Sequence, residues 1–256
     1  MGRLENRVAI VTGAAHGERA ALGATFAVAL AREGAQVVAA DLDDCASVVG
    51  EIERAGGQAL GLTVDVRDEA SIAAIVAAAI ERFGRLDILV NNAAIGSNIA
   101  PVPVLDIDTA DWDRIYAVNV RGPFLCVKAV LPHMRRRRYG KIINIGSTMM
   151  YSGAPNRLHY VSAKGAVLAM SRALARELGP DGICVNTLAY GLITSKLNEA
   201  ALEHDDEYRS HAFKPRAMPV HLRADDLAGS LVFLASPESD HMTGQCLMAD
   251  PGSVMN

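Results

Sequence analysis

Aromatic side chains are scarce in this chain: 5% of its 256 residues, with a single tryptophan. The hydrophobic half is therefore mostly Ala, Val, Leu and Ile, a mix that suits buried parallel strands covered by Ala-rich helices. Cysteine is scarce too. Cys45, Cys126, Cys184 and Cys246 lie far apart and form no CxxC pair, so no disulfide framework or zinc site is readable and no metal is expected. Positive charge is not in excess. A formal net charge of −4 offers no basic field to nucleic acid or anionic lipid. Long apolar runs are missing as well, and the longest uncharged one, Ala73 to Ile80, is far too short to span a bilayer. Glu5 and Arg7 interrupt the N-terminus, which argues against a signal peptide. These absences point to a soluble, cytoplasmic protein with neither nucleic acid nor membrane as a partner.

What is present is alternation. Short β-branched runs (7–12, 36–40, 58–64, 87–90, 141–146, 183–188 and 245–248) are separated by segments of helical period. Leu22, Phe26, Ala29 and Leu30 share one helix face, as do Ile72, Ile75, Val76 and Ile80. Strand–helix–strand repetition implies a parallel sheet, because each parallel crossover needs a covering element. The expected fold is α/β: a doubly wound parallel sheet between two helical layers (αβα), forming one domain over residues 1–256. The basic cluster Arg135 to Arg138 falls where a long helix should end, where cations complement the helix dipole. The charged, punctuated stretch 194–219 breaks the alternation and reads as a lid over the cleft. It carries His204, Tyr208, Arg209 and His211.

The first strand runs straight into Gly13-Ala14-Ala15-His16-Gly17 and then a helix. Small residues there let the backbone approach a pyrophosphate, and the helix N-terminus supplies N–H groups and a positive dipole end. The second strand ends at Asp41, near the offset at which a carboxylate bonds the adenosine ribose hydroxyls. A carboxylate there repels a 2′-phosphate, so NAD is the expected cofactor. Arg19, a cation in the same loop, pulls the other way, and a solvated Asp41 beside a helix starting at Asp43 is the plainer alternative.

Tyr160 and Lys164 stand one helical turn apart, on one face of a helix rich in small residues. A free tyrosine, with a pKa of about 10, is a poor base at neutral pH, and a neighbouring ammonium would favour its phenolate. Ser147 closes a strand 13 residues before Tyr160. Asn91-Asn92-Ala93-Ala94 follows another strand, and Asn119 sits in Val118-Asn119-Val120-Arg121-Gly122. Together these motifs resemble the short-chain dehydrogenase/reductase family over essentially the whole chain, from Arg7 to Gly252.

The resemblance implies a Rossmann-type fold, and a role for each matching residue. Tyr160 would give a proton to the carbonyl oxygen or take it from the alcohol. Lys164 would hold the nicotinamide ribose and depress the Tyr160 pKa, and Ser147 would orient the substrate oxygen. Asn119 would bend its helix and hold a water in a relay to Lys164. The nucleotide would lie along Gly13, Ala15, His16, Gly17, Leu22 and Gly23, with Asp41 and Leu42 at the ribose and Asp65 and Val66 at the adenine. Asn91 and Ala93 would brace the central strands, while Tyr190, Gly191, Ile193 and Ser195 would meet the nicotinamide side. Assembly would be a homotetramer pairing helices 111–138 and 155–179, with the C-terminal strand in a second interface.

The sequence departs from the family at four places. Arg19 stands where the turn's last glycine is usual. Aligning Leu22-Gly23 with the final pair implies four extra residues around Gly17-Glu18-Arg19-Ala20, with Glu18 near the anion site. Ala94 replaces a glycine, Tyr190 a proline, and Pro251 a glycine in Asp250-Pro251-Gly252. A phenol at 190 would stack on the ring or wall the substrate pocket. The substrate wall would be Ser147, Met149, Met150, Tyr160, Tyr190 and Leu192, with Asn156, Arg157, His159, His204 and His211 as polar candidates that surface positions would explain equally well. This favours an NAD-dependent oxidoreductase for a small secondary alcohol or carbonyl, such as a sugar, polyol or ring alcohol. An NADPH-dependent 3-oxoacyl thioester reductase and a non-catalytic dinucleotide sensor or scaffold are the alternatives.

Overall fold

The computed structural model describes residues 2–17, 22–96, 100–195, 198–207, 210 and 214–255. Arg19, Glu18, Ala20, Tyr208, Arg209 and His211 lie outside the described residues. The strands are β1 (Val8–Thr12), β2 (Gln36–Asp41), β3 (Ala59–Thr63), β4 (Ile88–Asn91), β5 (Gly140–Ile145), β6 (Ile183–Tyr190) and β7 (Cys246–Ala249). They form one seven-stranded parallel sheet in the order β3-β2-β1-β4-β5-β6-β7. Each lies where the sequence pattern puts it, with ends displaced by one or two residues, the usual uncertainty of strand edges.

Residues of one strand alternate between two cores. Ala9 and Val11 join Phe26 and Leu30 of α1 (Leu22–Arg32) and Leu231 of the helix Ala228–Ala235. Val8 and Ile10 join Ile72, Ile75 and Val76 of α3 (Glu69–Phe83) and Val127 and Val130 of α5 (Gly122–Arg137). A strand buried on both faces has no polar side to show, which explains its continuous apolar run. Helix α3 is closed at both ends: the Asp68 side chain accepts the Ala70 N–H, and Gly84 takes φ 76° as a left-handed stop.

Two helices differ from the sequence expectation. The helix expected over 111–138 is three pieces: α4 (Thr109–Tyr116), a π turn (Ala117–Arg121) and α5, with the Gly122 N–H reaching back five residues to the Ala117 carbonyl. Pro123 has no N–H to give the Asn119 carbonyl four residues earlier, so a regular helix cannot pass through this point. The helix expected from 155 starts later, as α7 (Leu158–Leu178), because Asn156 sits at φ 59°. The Arg135–Arg138 cluster ends α5 and is stitched to the turn after α7, with Arg135 on Asp181 at 2.7 Å and Arg138 on the Pro180 carbonyl at 2.8 Å.

Strand β1 lies between β2 and β4, so the winding reverses there, and a crevice opens beyond the strands' C-terminal ends. Thr12, Asn91, Ile145 and Tyr190 are the last residues of β1, β4, β5 and β6. The candidate site is built on these ends.

Candidate active site

The turn after β1 is packed against the turn after β4. Thr12 Oγ1 accepts the N–H groups of Asn92 and Ala93 at 3.1 Å each, and Asn92 Nδ2 donates to the Thr12 and Gly13 carbonyls at 3.0 and 2.9 Å. Gly13 holds φ 67°, and a Cβ there would lie 2.8 Å from the Ala93 Cα. A Cβ on Gly23 would run into the Gly13 carbonyl. The first turn of α1 therefore lies directly on the glycine turn. Asp41 Oδ2 accepts the Ala15 N–H at 2.9 Å, which fixes this carboxylate at the mouth of the turn. It does not start a helix at Asp43: α2 (Ala46–Arg54) begins three residues later, and Asp44 accepts the Ala46 N–H. A backbone turn pinched at Gly13 and Gly23, beside a helix N-terminus and a fixed carboxylate, fits the diphosphate and ribose of a dinucleotide.

Next to it, three side chains converge from two elements. Ser147 follows β5, and Tyr160 and Lys164 lie one turn apart on α7; all three are buried. The Lys164 ammonium donates to the Ile145 carbonyl at 2.8 Å and stands 5.8 Å from the Tyr160 ring centre. Asn119, from the π turn, grips Ile95 at both backbone groups: its Oδ1 accepts the Ile95 N–H at 2.9 Å and its Nδ2 donates to the Ile95 carbonyl at 2.7 Å. Gly96 follows at φ 109°, pressed so closely on Tyr160 that a Cβ would lie 2.8 Å from the ring. The side chain of Asn119 thus braces the loop that backs the tyrosine, and the π turn leaves its carbonyl without the regular helical donor.

Burial dominates the electrostatics. It pushes the Tyr160 phenol above its ordinary pKa, while a hydrogen bond with Ser147 and the charge of Arg157 pull it down. Burial takes the Lys164 ammonium down to about 8. Tyr190 is pushed up strongly, first by burial and then by the neighbouring Tyr160 phenol. The sequence expectation that Lys164 lowers the Tyr160 pKa is therefore replaced: the lysine is turned to the Ile145 carbonyl, and Ser147 and Arg157 exert the pull.

Comparisons with known proteins agree with this geometry. The family model described as enoyl-(acyl carrier protein) reductase matches residues 13–253. The chain is 34% identical over 258 residues to cyclopentanol dehydrogenase of Comamonas sp., covering all of both chains. It is 32% identical over 255 residues to the 3-oxoacyl-[acyl-carrier-protein] reductase FabG of Thermotoga maritima, covering 99% of this chain and all of the other. A solved Sinorhizobium meliloti chain, assigned as a short-chain alcohol dehydrogenase, superposes with a TM-score of 0.89 at 35% identity over 98% of this chain and 97% of that one. The chain belongs to the short-chain dehydrogenase/reductase family. As a short-chain dehydrogenase/reductase it is an oxidoreductase acting on CH–OH groups, with an NAD(P) nucleotide as cofactor.

Within this short-chain dehydrogenase/reductase the other sequence candidates divide. Asn91 bonds Asn144 Oδ1 at 2.8 Å, and its own Oδ1 is buried without a protein partner in the crevice wall. Ile193 is buried, and Asn198 ties the Ser195 N–H at 2.7 Å and the Ile193 carbonyl at 2.9 Å. Met149 donates its N–H to Ser147 Oγ at 3.2 Å and starts the short helix α6 (Met149–Ser152). Gly191 lies against Asp250, and Leu42 is exposed at the cleft edge. Val66 is buried against Gly122. Others are turned to local partners. The Asp65 carboxylate is engaged by Arg67 at 2.6 to 3.0 Å, His16 faces Glu51 at 3.5 Å, and His204 lies out on the surface beside Glu203. Gly17 ends the described part of the turn. His159 is neither pocket nor surface: it is buried, and its Nδ1 accepts the Tyr160 N–H at 3.0 Å. Sequence reasoning missed Ile95, Gly96 and the Asn144–Ser171 pair under Asn91, which bond at 2.9 Å. Only the glycine carried a signal, a φ-permissive residue shortly after a strand.

Proposed function

We propose that this enzyme uses NAD to interconvert a small secondary alcohol and its carbonyl, with Tyr160 as the proton-transferring group. The observation that carries this reading is the buried Tyr160 phenol, near enough to Ser147 for that hydroxyl to pull its pKa down and one turn from Lys164, beside a turn where Gly13 and Gly23 leave no room for a Cβ. The bound nicotinamide supplies or accepts the hydride. Ser147 and Tyr160 hold the substrate oxygen. In reduction the Tyr160 hydroxyl gives that oxygen its proton, and in oxidation the phenolate removes it. Burial keeps the phenol protonated at neutral pH, which is the form reduction needs. Lys164 would hold the ribose hydroxyls, with the Asn119 carbonyl and a bound water continuing the proton path. The preference for NAD over NADP rests on Asp41, whose carboxylate is held at the glycine turn by the Ala15 N–H and would repel a 2′-phosphate brought beside it.

The 3-oxoacyl thioester reductase reading keeps support from the FabG relative, and Asp41 opposes its NADPH requirement. A non-catalytic sensor would have no use for Asn119, Ser147, Tyr160 and Lys164 together. The segment 194–219 is read as a lid. Its ends are tied down, with the Thr194 N–H on the Leu222 carbonyl at 2.7 Å and Arg216 on the Leu192 carbonyl at 2.8 Å. The deciding experiment follows nicotinamide absorbance for a panel of alcohols and ketones with NAD and with NADP. Turnover with NAD and weak turnover with NADP support the reading; preference for NADP overturns the cofactor assignment. Tyr160→Phe is expected to lower kcat by about 10²–10⁴ while leaving NAD affinity nearly unchanged. Retention of most of the activity would remove Tyr160 from the mechanism.

A further inference from the structure

Strands β4, β5 and β6 are largely apolar, yet each carries a polar side chain at the same level of the sheet. Asn91 pairs in register with Asn144, and Asn144 with Thr187. Neighbours in register share a face of the sheet, so the three form one row. All three are buried, where a polar group is costly unless it is bonded. Asn91 Nδ2 donates to Asn144 Oδ1 at 2.8 Å, and Asn144 Nδ2 donates to Ser171 Oγ of α7 at 2.9 Å. Thr187 Oγ1 donates to the same Ser171 Oγ at 3.0 Å, which in turn donates to the Val167 carbonyl at 2.8 Å. One hydroxyl thus makes its full set of bonds, one given and two received.

Ser171 matters because of where it stands on α7. It lies seven residues after Lys164 and eleven after Tyr160, about two and three helical turns, which puts all three on one face. Beyond Lys164 the helix's other buried residues are Val167, Leu168, Ala175 and Leu178, all apolar. Apolar contacts tolerate small shifts of one element over another, whereas a fully satisfied polar network fixes a single arrangement. On the strand side, Asn144 immediately precedes Ile145, whose carbonyl takes the Lys164 ammonium, and lies three residues before Ser147. The row therefore locks α7, which carries Tyr160 and Lys164, to β5, which leads into Ser147.

We propose that Ser171 is a positioning residue for the reaction: its bonds to Asn144 and Thr187 set where α7 sits on β5, and with it the approach of the Tyr160 phenol to Ser147. The proposal rests on the oxidoreductase reading above and deepens it. A misplacement of about 1 Å at the reacting groups costs on the order of a hundredfold in rate. Loss of the anchor is therefore felt in catalysis, although Ser171 is fully buried and three turns from the phenol.

The test uses the full-length enzyme with NAD and a secondary alcohol that it oxidises, each rate taken per folded molecule well below the melting temperature. Ser171→Ala leaves two buried donors, Asn144 Nδ2 and Thr187 Oγ1, without their acceptor. Its kcat is expected to fall by about tenfold to a hundredfold, with KM for NAD changed far less because the turn after β1 is untouched. The alkaline rise of kcat/KM for oxidation should also move to higher pH, since the Ser147 hydroxyl that pulls the phenol down is then farther away. Arg157 and Lys164 ride on α7 with the phenol, and Tyr190, the titratable neighbour from β6, is unchanged. Leu178→Ala, a cavity at the far end of the same helix, controls for packing alone: it should lower stability and keep kcat and the pH profile.

Unchanged kcat and pH profile in folded Ser171→Ala overturns the proposal, and so does an equal loss of kcat in Leu178→Ala. Should Ser171→Ala fail to fold, Thr187→Val keeps the side chain's shape and removes one bond, and is expected to show the same two changes in smaller measure. Their absence there overturns the proposal as well. If the unmodified enzyme turns over no alcohol or ketone with either cofactor, the oxidoreductase reading fails and this proposal falls with it. Normal turnover together with an unaffected Ser171→Ala sinks only the proposal.

Discussion

Lys164 shows how a residue's chemistry and its contribution to stability can oppose each other. Its ammonium is buried on α7, and burial lowers its pKa from 10.5 to about 8. A base whose folded pKa is depressed opposes folding wherever it is charged in both states, which means below about 8. As pH rises from about 8 to 10.5, the folded protein has released the proton while the unfolded chain still holds it, so stability increases across that window. At 1.36 kcal/mol per unit the cost at pH 7 is about 3 kcal/mol, offset by about 1 kcal/mol from the bond to the Ile145 carbonyl. Lys164→Met is accordingly expected to be inactive yet about 2 kcal/mol more stable at pH 7. Urea unfolding at pH 7 and pH 10 checks this: the variant's advantage should narrow at the higher pH. A variant less stable at both would refute the account.

Among the elements, the strand–turn–helix from β1 into α1 is the most tightly constrained. Gly13 and Gly23 stand where one turn touches the next, with no room for a side chain on either. Gly23→Ala would press its methyl into the Gly13 carbonyl and, at 2.6 Å, on Asn92 Nδ2, so the turn must move. A loss of about 1–3 kcal/mol in stability is expected, as for overpacking in general. NAD affinity should fall with it by about tenfold or more, because the same carbonyls and N–H groups shape the cradle. Calorimetric titration with NAD measures the effect, and an unaltered affinity would mean that the nucleotide does not lie on this turn. The other informative element is the π turn. The sequence pattern read as one helix over 111–138, with only the family resemblance implying a bend at Asn119, and what the turn holds could not be read at all. Asn119 grips Ile95, 24 positions away, and nothing in the local pattern names that partner.

Over the whole molecule, the crevice and the buried Asp87 ion pair lie at opposite edges of the sheet. The crevice lies at the strands' C-terminal ends. At the N-terminal edge, fully buried Asp87 accepts the Val8 N–H at 3.0 Å and is held by Arg85 through two bonds of 2.7 and 2.6 Å. Asp87→Ala leaves Arg85 and the Val8 N–H without their acceptor, and should cost about 3–5 kcal/mol. Because this edge is remote from the site, KM for NAD should stay within about twofold, as distant sites act independently. A large change in KM would show that the two edges are coupled. A homotetramer is the expectation from family resemblance, and the outer face of α4 and α5 is where its apolar contact would fall. Phe124 is 49% exposed there, and Trp112 and Tyr116 stack at 5.1 Å. Light scattering should give the mass of four subunits; a monomer would contradict it.

The order of strands and helices, the doubly wound sheet and the register of Ser147, Tyr160 and Lys164 could all be read along the chain. Each depends on spacing within one element or on periodic burial, and both are local properties of a sequence. The Tyr160–Lys164 pair is legible because four residues make about one helical turn, whatever surrounds it. What required the folded molecule was direction and environment. Asp65 and His16, both plausible nucleotide contacts, turn to Arg67 and Glu51. His159 leaves the pocket for the core, and Arg157, outwardly a surface residue, reaches the Gly96 carbonyl next to the Tyr160 ring. The reason is physical: where a side chain points, how deeply it is buried and which charge faces it are set by contacts between segments distant in sequence, and these exist only after the sheet has brought its strand ends together.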